Sequence, residues 1–289
     1  MWNSIAAQIS QVTGQPFVVA TPPRSVGGGC INQGYKLTDG SRTYFVKLNQ
    51  ASQIAMFEAE AAGLRALITT KTIRAPQPIC TGIVEGNGYL ILEWIDLGQG
   101  DRTDWLEMGR QLAALHQAPG ADKFGWERHN TIGSTPQINS WTADWAEFWI
   151  NHRIGYQVRL AQRRGGTFPL VDRLLAAIPD LLADHHPQPS LVHGDLWSGN
   201  AAIAQTGEPV IFDPATYYGD REVDLAMTEL FGGFPDAFYQ GYNQVLPLDS
   251  GYSRRKILYN LYHILNHFNL FGGSYASQAN RMMQQLLTS

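Results

Sequence analysis

Cysteine is scarce: the 289 residues contain two, Cys30 and Cys80. Two thiols do not make a disulfide framework, so a reducing cytoplasm is the expected compartment. Long apolar runs are missing too. Stretches such as Tyr89-Leu90-Ile91-Leu92 are far too short to span a bilayer, and no membrane partner is expected. Positive charge is not in excess. A formal net charge of −4 offers no broad basic field for nucleic acid or an anionic surface. The opening MWNSIAAQIS has neither a basic n-region nor an apolar h-region, so a secretory leader is not expected. There are no internal repeats and no low-complexity tracts, and Pro187-Gln188-Pro189 is only a short, stiff connector. What remains is 44% hydrophobic and 16% charged, the composition of a folded globular chain. Its length suits one large domain or two lobes.

The texture changes near residue 95. Trp2 to Val12 has helical apolar spacing. Phe17 to Ala20, Tyr44 to Leu48, Ile79 to Val84 and Tyr89 to Ile95 read as strands, with turns at Asp39-Gly40 and Glu85 to Gly88. A helical stretch, Gln53 to Ile68, interrupts them. Beyond Leu97-Gly98-Gln99-Gly100 the pattern is mainly helical, over Thr103–His116, Thr142–Gln162, Leu170–Leu182 and Arg254–Phe271. The expected fold is α+β and two-lobed. A small lobe over 1–95 would carry an antiparallel sheet and one long helix; a larger, mainly helical lobe would cover 96–289.

The segment His193-Gly194-Asp195-Leu196-Trp197-Ser198-Gly199-Asn200 is followed by Val210-Ile211-Phe212-Asp213-Pro214. Asn200 lies five positions after Asp195, the interval of the kinase catalytic loop H-R-D-x-x-x-x-N, with Gly194 in place of the Arg. A strand-like Val-Ile-Phe then delivers Asp213, as the D-F-G strand does. Phosphoryl transfer needs an acceptor for a hydroxyl proton and oxygen ligands for magnesium. Asp195 suits the first role; Asn200 and Asp213 suit the second. Each residue alone reads more readily as turn or cap; the set at these intervals points to chemistry.

Such a site also needs a strand lysine, a glutamate to hold it and an adenine hinge. Lys47 shares a strand face with Phe45 and Thr43 by alternation. On the helix that follows, Glu60 falls at about −60° from Phe57, inside the apolar arc, and Glu58 at about +100°, outside it. A carboxylate on a buried face needs a cation, and Lys47 is the expected partner. Glu58 reads as solvated surface. Backbone groups of Glu93 and Ile95, at the inter-lobe connection, could pair with adenine. His116 reads as a structural hydrogen bonder.

With GGGCIN (Gly27 to Asn32), FVKLN (Phe45 to Asn49), FEAE (Phe57 to Glu60), HGDLWSGN (His193 to Asn200), IFDPA (Ile211 to Ala215) and YYGDREVDLAM (Tyr217 to Met227), the chain resembles the fructosamine kinase (ketosamine-3-kinase) family. That family is a branch of the aminoglycoside phosphotransferase-like kinases. The resemblance implies ATP-dependent phosphorylation of the sugar 3-hydroxyl in ketoamines, on free amines or glycated protein lysines. The product is unstable, so the implied role is deglycation repair. Carried over by motif, Lys47 contacts the α- and β-phosphates and Glu60 orients it. Asp195 accepts the proton, Asn200 and Asp213 bind Mg2+, His193 braces the loop, and Asp224 is a cap that anchors it.

VGGGCINQGY is not a Walker A loop, because no Lys-Ser or Lys-Thr follows at the required spacing. With Lys47 seventeen positions beyond Cys30, it is expected to cover the ATP phosphates through Gly28, Gly29, Cys30, Ile31 and Asn32. A thiol there would be open to oxidation. For the acceptor, Trp197 could pack on a sugar face. Asp220 could meet the cationic ketoamine nitrogen; Glu222 reads as solvated surface. An aminoglycoside- or choline-type kinase, or a nucleotide-binding module without turnover, would share the same ATP parts.

Overall fold

The computed structural model describes residues 1–27 and 31–288. Helix α1 (Trp2–Thr13) buries Ile5, Ala6 and Ile9 and stops at Gly14 in a left-handed turn, φ 68°. Phe17 to Ala20, expected as a strand, is irregular. Phe17 is buried as a plug while Val18 is 75% exposed, so an apolar run here fills a hole rather than joining a sheet. The strands are β1 (Arg24–Val26), β2 (Gln33–Thr38) and β3 (Thr43–Gln50). Helix α2 (Ile54–Thr69) follows, then β4 (Pro78–Val84) and β5 (Asn87–Glu93). They form one antiparallel sheet in the order β1-β2-β3-β5-β4.

Interior strand β5 is apolar at successive positions because both faces are covered. Tyr89 and Ile91 join Val46 and Leu48 in the cluster under α1. Leu90 and Leu92 join Phe57 and Leu64 of α2 in the main core. Alternation on β3 therefore turns Phe45 and Lys47 to the α2 side. The β4–β5 turn places both Glu85 and Gly86 at positive φ, the geometry a two-residue hairpin prefers.

After β6 (Leu97–Gly98), α3 (Arg102–Gln117) opens with an Asp101/Asp104 capping box. The hairpin β7 (Asn130–Ile132) and β8 (Thr135–Gln137) comes next. The stretch read as one helix over 142–162 is three pieces: α4 (Trp145–Phe148), a π-helical Trp149–Ile154, and α5 (Gly155–Arg163). Then come α6 (Val171–Leu181), β9 (Ser190–Val192), β10 (Ala201–Ala204), β11 (Pro209–Ile211) and β12 (Tyr217–Gly219). Four helices close the chain: α7 (Glu222–Leu230), α8 (Asp236–Val245), α9 (Tyr252–Phe271) and α10 (Tyr275–Thr288). Strand β9 pairs with β12 and β10 with β11. The loop after β9 and the segment after β11 are thereby brought together. Among the described residues no helix is long and apolar enough to cross a membrane.

Candidate active site

The loop leaving β9 is held from below by one carboxylate. Asp224, fully buried, accepts from the backbone N–H of His193 at 2.7 Å and of Gly194 at 2.8 Å. It also accepts from His116 Nε2 at 3.1 Å. With Nε2 donating, His116 Nδ1 accepts from the Tyr242 hydroxyl at 2.8 Å. That hydroxyl in turn receives Arg221 Nη1 at 3.1 Å. Burial pushes the Asp224 carboxyl up, but His116 and the loop amides more than offset it and hold it below the usual carboxylate range. Asp224 stands inside the first turn of α7, whose N-cap is Arg221. It therefore anchors the loop after β9 without capping its own helix.

Gly194 takes φ +82°, and a side chain there would run into the Ala215 carbonyl. This explains glycine where protein kinases carry arginine. His193 is buried and spans the two segments. Its Nε2 donates to the Phe212 carbonyl at 2.9 Å, and its Nδ1 accepts the Asp195 N–H at 3.2 Å. Burial lowers the imidazole's pKa. The ring is thus a neutral brace in one tautomer.

Asn200 Nδ2 donates to the Asp195 carbonyl at 2.8 Å and to Oδ2 at 3.3 Å, which commits the amide nitrogen and leaves Oδ1 for another partner. Burial, with the nearby Asp213 charge adding to it, pushes the Asp195 carboxyl up to about 7. Asp213 adopts φ 58°, unusual for a residue other than glycine. It holds one oxygen against Lys47 Nζ, while 43% of its side chain stays accessible. Lys47 is 5% exposed and also donates to Glu60 Oε1 at 2.6 Å. Burial pulls the ammonium down, and the Asp213 and Glu60 carboxylates more than offset it, so the lysine stays charged. Burial raises the Glu60 carboxyl against the pull of Lys47. The oxygen-only donors of Asn200 and Asp213 suit a hard cation such as Mg2+.

At the hinge, the Glu93 N–H donates to the Gln77 carbonyl at 2.9 Å, so a ligand would meet Glu93 through its carbonyl. Its side chain pairs with Arg74 at 2.6 Å. Ile95 is half-buried two residues on. Ile31 and Asn32 lie just before β2, and Asn49 Nδ2 reaches the Ile31 carbonyl at 3.3 Å and Asn32 Oδ1 at 2.7 Å. Gly28, Gly29 and Cys30 lie outside the described residues. Trp197 is half-buried, its indole lying over Gly199 so closely that any side chain there would overlap it.

Asp220 corrects the reading of it as a substrate contact. It is fully buried. Its oxygens are taken by His185 Nε2 at 2.6 Å, the Tyr259 hydroxyl and the Glu222 N–H. Glu222, expected at the surface, is also buried and is clasped by Arg255 at 2.6 and 2.7 Å. Glu58 is exposed as expected, yet it meets Arg128 of the larger lobe at 3.6 Å. Tyr242, Asn130 and Gln137 carry no signal in the sequence, yet the last two are bonded to backbone carbonyls just after Asp213. A side-chain amide in a hairpin or a tyrosine in an apolar stripe leaves no periodic mark.

The fructosamine kinase family model matches residues 1–289. A protein assigned as a ketoamine kinase in Synechocystis is 62% identical over 99% of this chain and 97% of its own. The chloroplastic protein-ribulosamine 3-kinase of Arabidopsis thaliana is 46% identical over 91% of this chain and 82% of its own. A crystal structure assigned as a fructosamine-3-kinase from Haemophilus somnus superposes with a TM-score of 0.92 at 33% identity, covering 99% and 98% of the two chains. Aminoglycoside phosphotransferase APH(4)-Ia shares the fold alone, with a TM-score of 0.63 at 15% identity. On residues from one end to the other, the chain belongs to the fructosamine kinase family, a group of two-lobed kinases that transfer phosphate to a sugar hydroxyl.

Proposed function

We propose that this kinase phosphorylates the sugar 3-hydroxyl of ketoamines, ribulosamine or erythrulosamine adducts before fructosamines, and so initiates deglycation of amines or protein lysines. The Arabidopsis relative, named as a protein-ribulosamine 3-kinase, supports that order of preference. The observation that carries the reading is the braced, half-buried Asp195 with Asn200 on its flank and the Lys47–Asp213 pair nearby. In this reading residues 1–95 hold the nucleotide and 96–289 the acceptor.

Asp195 takes the proton of the attacking hydroxyl as its oxygen bonds to the γ-phosphorus and ADP leaves. Its raised carboxyl suits a general base working near neutrality. Lys47, steered by Glu60, neutralises phosphate charge. Phe45, on the same strand face, would line the adenine side, with Glu93 C=O and Ile95 N–H as the hinge groups. Mg2+ held by Asn200 Oδ1 and Asp213 would offset the charge on the β- and γ-phosphates. Trp197, beside the base, stacks on the sugar.

The test is ATP turnover against a panel of ribulosamines, erythrulosamines, fructosamines, aminoglycosides and choline. Ketoamine turnover that falls by about 10²-fold or more in Asp195→Asn supports the assignment. Turnover confined to aminoglycosides or choline moves the protein to that branch, and tight ATP binding without turnover makes it a binding module. In the same assay Trp197→Ala raises the ketoamine KM and leaves the ATP KM alone. Equal effects on both remove the stacking role.

A further inference from the structure

The β7–β8 hairpin has no part in the chemistry above, yet it touches both lobes around the site. At its base, Asn130 Nδ2 donates to the Thr216 carbonyl at 2.8 Å and Gln137 Nε2 to the Ala215 carbonyl at 2.9 Å. These carbonyls stand two and three residues after Asp213. Gln137 is 1% exposed. Its Oε1 accepts from the Tyr262 hydroxyl at 2.7 Å, and its Nε2 also reaches Asn130 Oδ1 at 2.9 Å. A buried amide held on both its oxygen and its nitrogen, as Gln137 is, fixes one geometry.

At the tip, Gly133 is left-handed at φ +62°. The place a side chain would take is filled instead by Leu270 Cδ1 of α9 and Ile31 Cδ1, 2.9 and 3.1 Å from the Cβ position. Ile31 belongs to the small lobe. Its carbonyl is held by Asn49, which alternation places on the same face of β3 as Lys47. Just ahead of the hairpin, Arg128 Nη1 donates to the Glu58 carbonyl at 3.1 Å, on the helix that carries Glu60. One hairpin is thus bonded to the segment after Asp213, in contact with helix α2, which bears Glu60, and linked through Ile31 and Asn49 to the strand bearing Lys47.

We infer that the β7–β8 hairpin is a positioning element for phosphoryl transfer: Ile31 docked at Gly133, and Asn130 with Gln137 at its base, set the Lys47 strand and the Asp213 segment in one register. The inference rests on the kinase reading above, but nucleotide binding tests it without an acceptor. A hairpin with a purely structural role would change stability and leave nucleotide affinity alone.

The experiment compares Ile31→Ala, Ile31→Val, Asn130→Ala and the Ile31→Ala/Asn130→Ala double variant. Calorimetric affinity for a non-hydrolysable ATP analogue with Mg2+, ATP and acceptor KM, and melting temperature are measured. Ile31→Ala should weaken nucleotide binding by about threefold to tenfold, with Ile31→Val recovering most of it. Its melting temperature should stay within about 2 °C of wild type. Because both sites act through one hairpin, the double variant should lose less than the product of the single losses. Wild-type affinity in Ile31→Ala overturns the inference, as does full multiplication in the double variant. Should Asn130→Ala fail to fold, Ile31→Ala with Leu270→Ala closes the same kind of cycle at the tip, with the same two outcomes. Nucleotide binding by wild type without ketoamine turnover would sink the substrate assignment and leave the hairpin result to stand on its own.

Discussion

Two backbone amides decide where Asp195 points, and Asp224 holds both. All three groups around that carboxylate are donors: the N–H of His193, the N–H of Gly194 and Nε2–H of His116. Asp224→Asn keeps the shape but turns one acceptor into an NH2 donor. One donor then faces another in a buried site, at a cost of about 1–3 kcal/mol. The loop should loosen and kcat fall by at least about tenfold. Thermal melting and steady-state kinetics check this; an unchanged kcat beside a lower melting temperature would confine Asp224 to stability. At this scale the sequence was readable where geometry follows from periodicity. Helical spacing alone turned Glu60 inward, where it meets Lys47. It was unreadable where burial depends on distant elements. Asp220 reads as a substrate contact because nothing near it in sequence reveals His185 and Tyr259 closing over it.

Among the elements, α3 and α8 cross so closely that their backbones touch. A side chain at Gly109 would meet the Phe238 carbonyl, and one at Gly241 the Leu106 carbonyl. Gly109→Ala must push the helices apart, at about 1–3 kcal/mol or more. Because α8 carries Tyr242 to His116, kcat should fall along with the melting temperature. A lower melting temperature with normal kcat would break the proposed link. A second element junction responds to pH. His185, between α6 and β9, joins Asp220 and Glu222 at the start of α7, and Arg255 of α9 clasps Glu222 and Asp249. Burial pulls the His185 imidazole down, and the Asp220 carboxylate more than offsets it, so the net direction is up. A raised histidine stabilises fully below its unfolded value of about 6.5 and loses that contribution as pH rises through the folded value. Asp220 is held low, so its share persists until pH drops well into the acid range. His185→Gln should therefore cost more melting temperature at pH 6 than at pH 8.5. An equal loss at both would show that its packing, not its charge, matters. Long amphipathic helices such as α3 and α9 were legible within a residue or two. The π-helical turn inside 142–162 and helices α8 and α10 were not read, the first because a local change of hydrogen-bond step leaves the apolar spacing nearly intact.

For the whole molecule, the two-lobed plan followed from a change of texture, but how the lobes join did not. Arg74 is one fastener. Its guanidinium pairs with Glu93 at the hinge and with Glu208 in the β10–β11 turn. Its own carbonyl accepts from the Ile211 N–H at 3.0 Å, two residues before Asp213. Both ion pairs are partly exposed, so they contribute about 0–1 kcal/mol each and weaken with salt. Their value lies in geometry, since Glu93 carries the carbonyl proposed to face adenine. Arg74→Gln keeps a polar side chain and the backbone bond but removes both ion pairs. Its melting temperature should stay within about 2 °C of wild type. The ATP KM should rise about twofold to fivefold with the ketoamine KM unchanged, and the difference from wild type should shrink at high salt as screening weakens the pairs that only wild type has. If instead the melting temperature drops and the ATP KM holds, the joint is a stabilising contact, and hinge geometry is set by the β5 backbone alone.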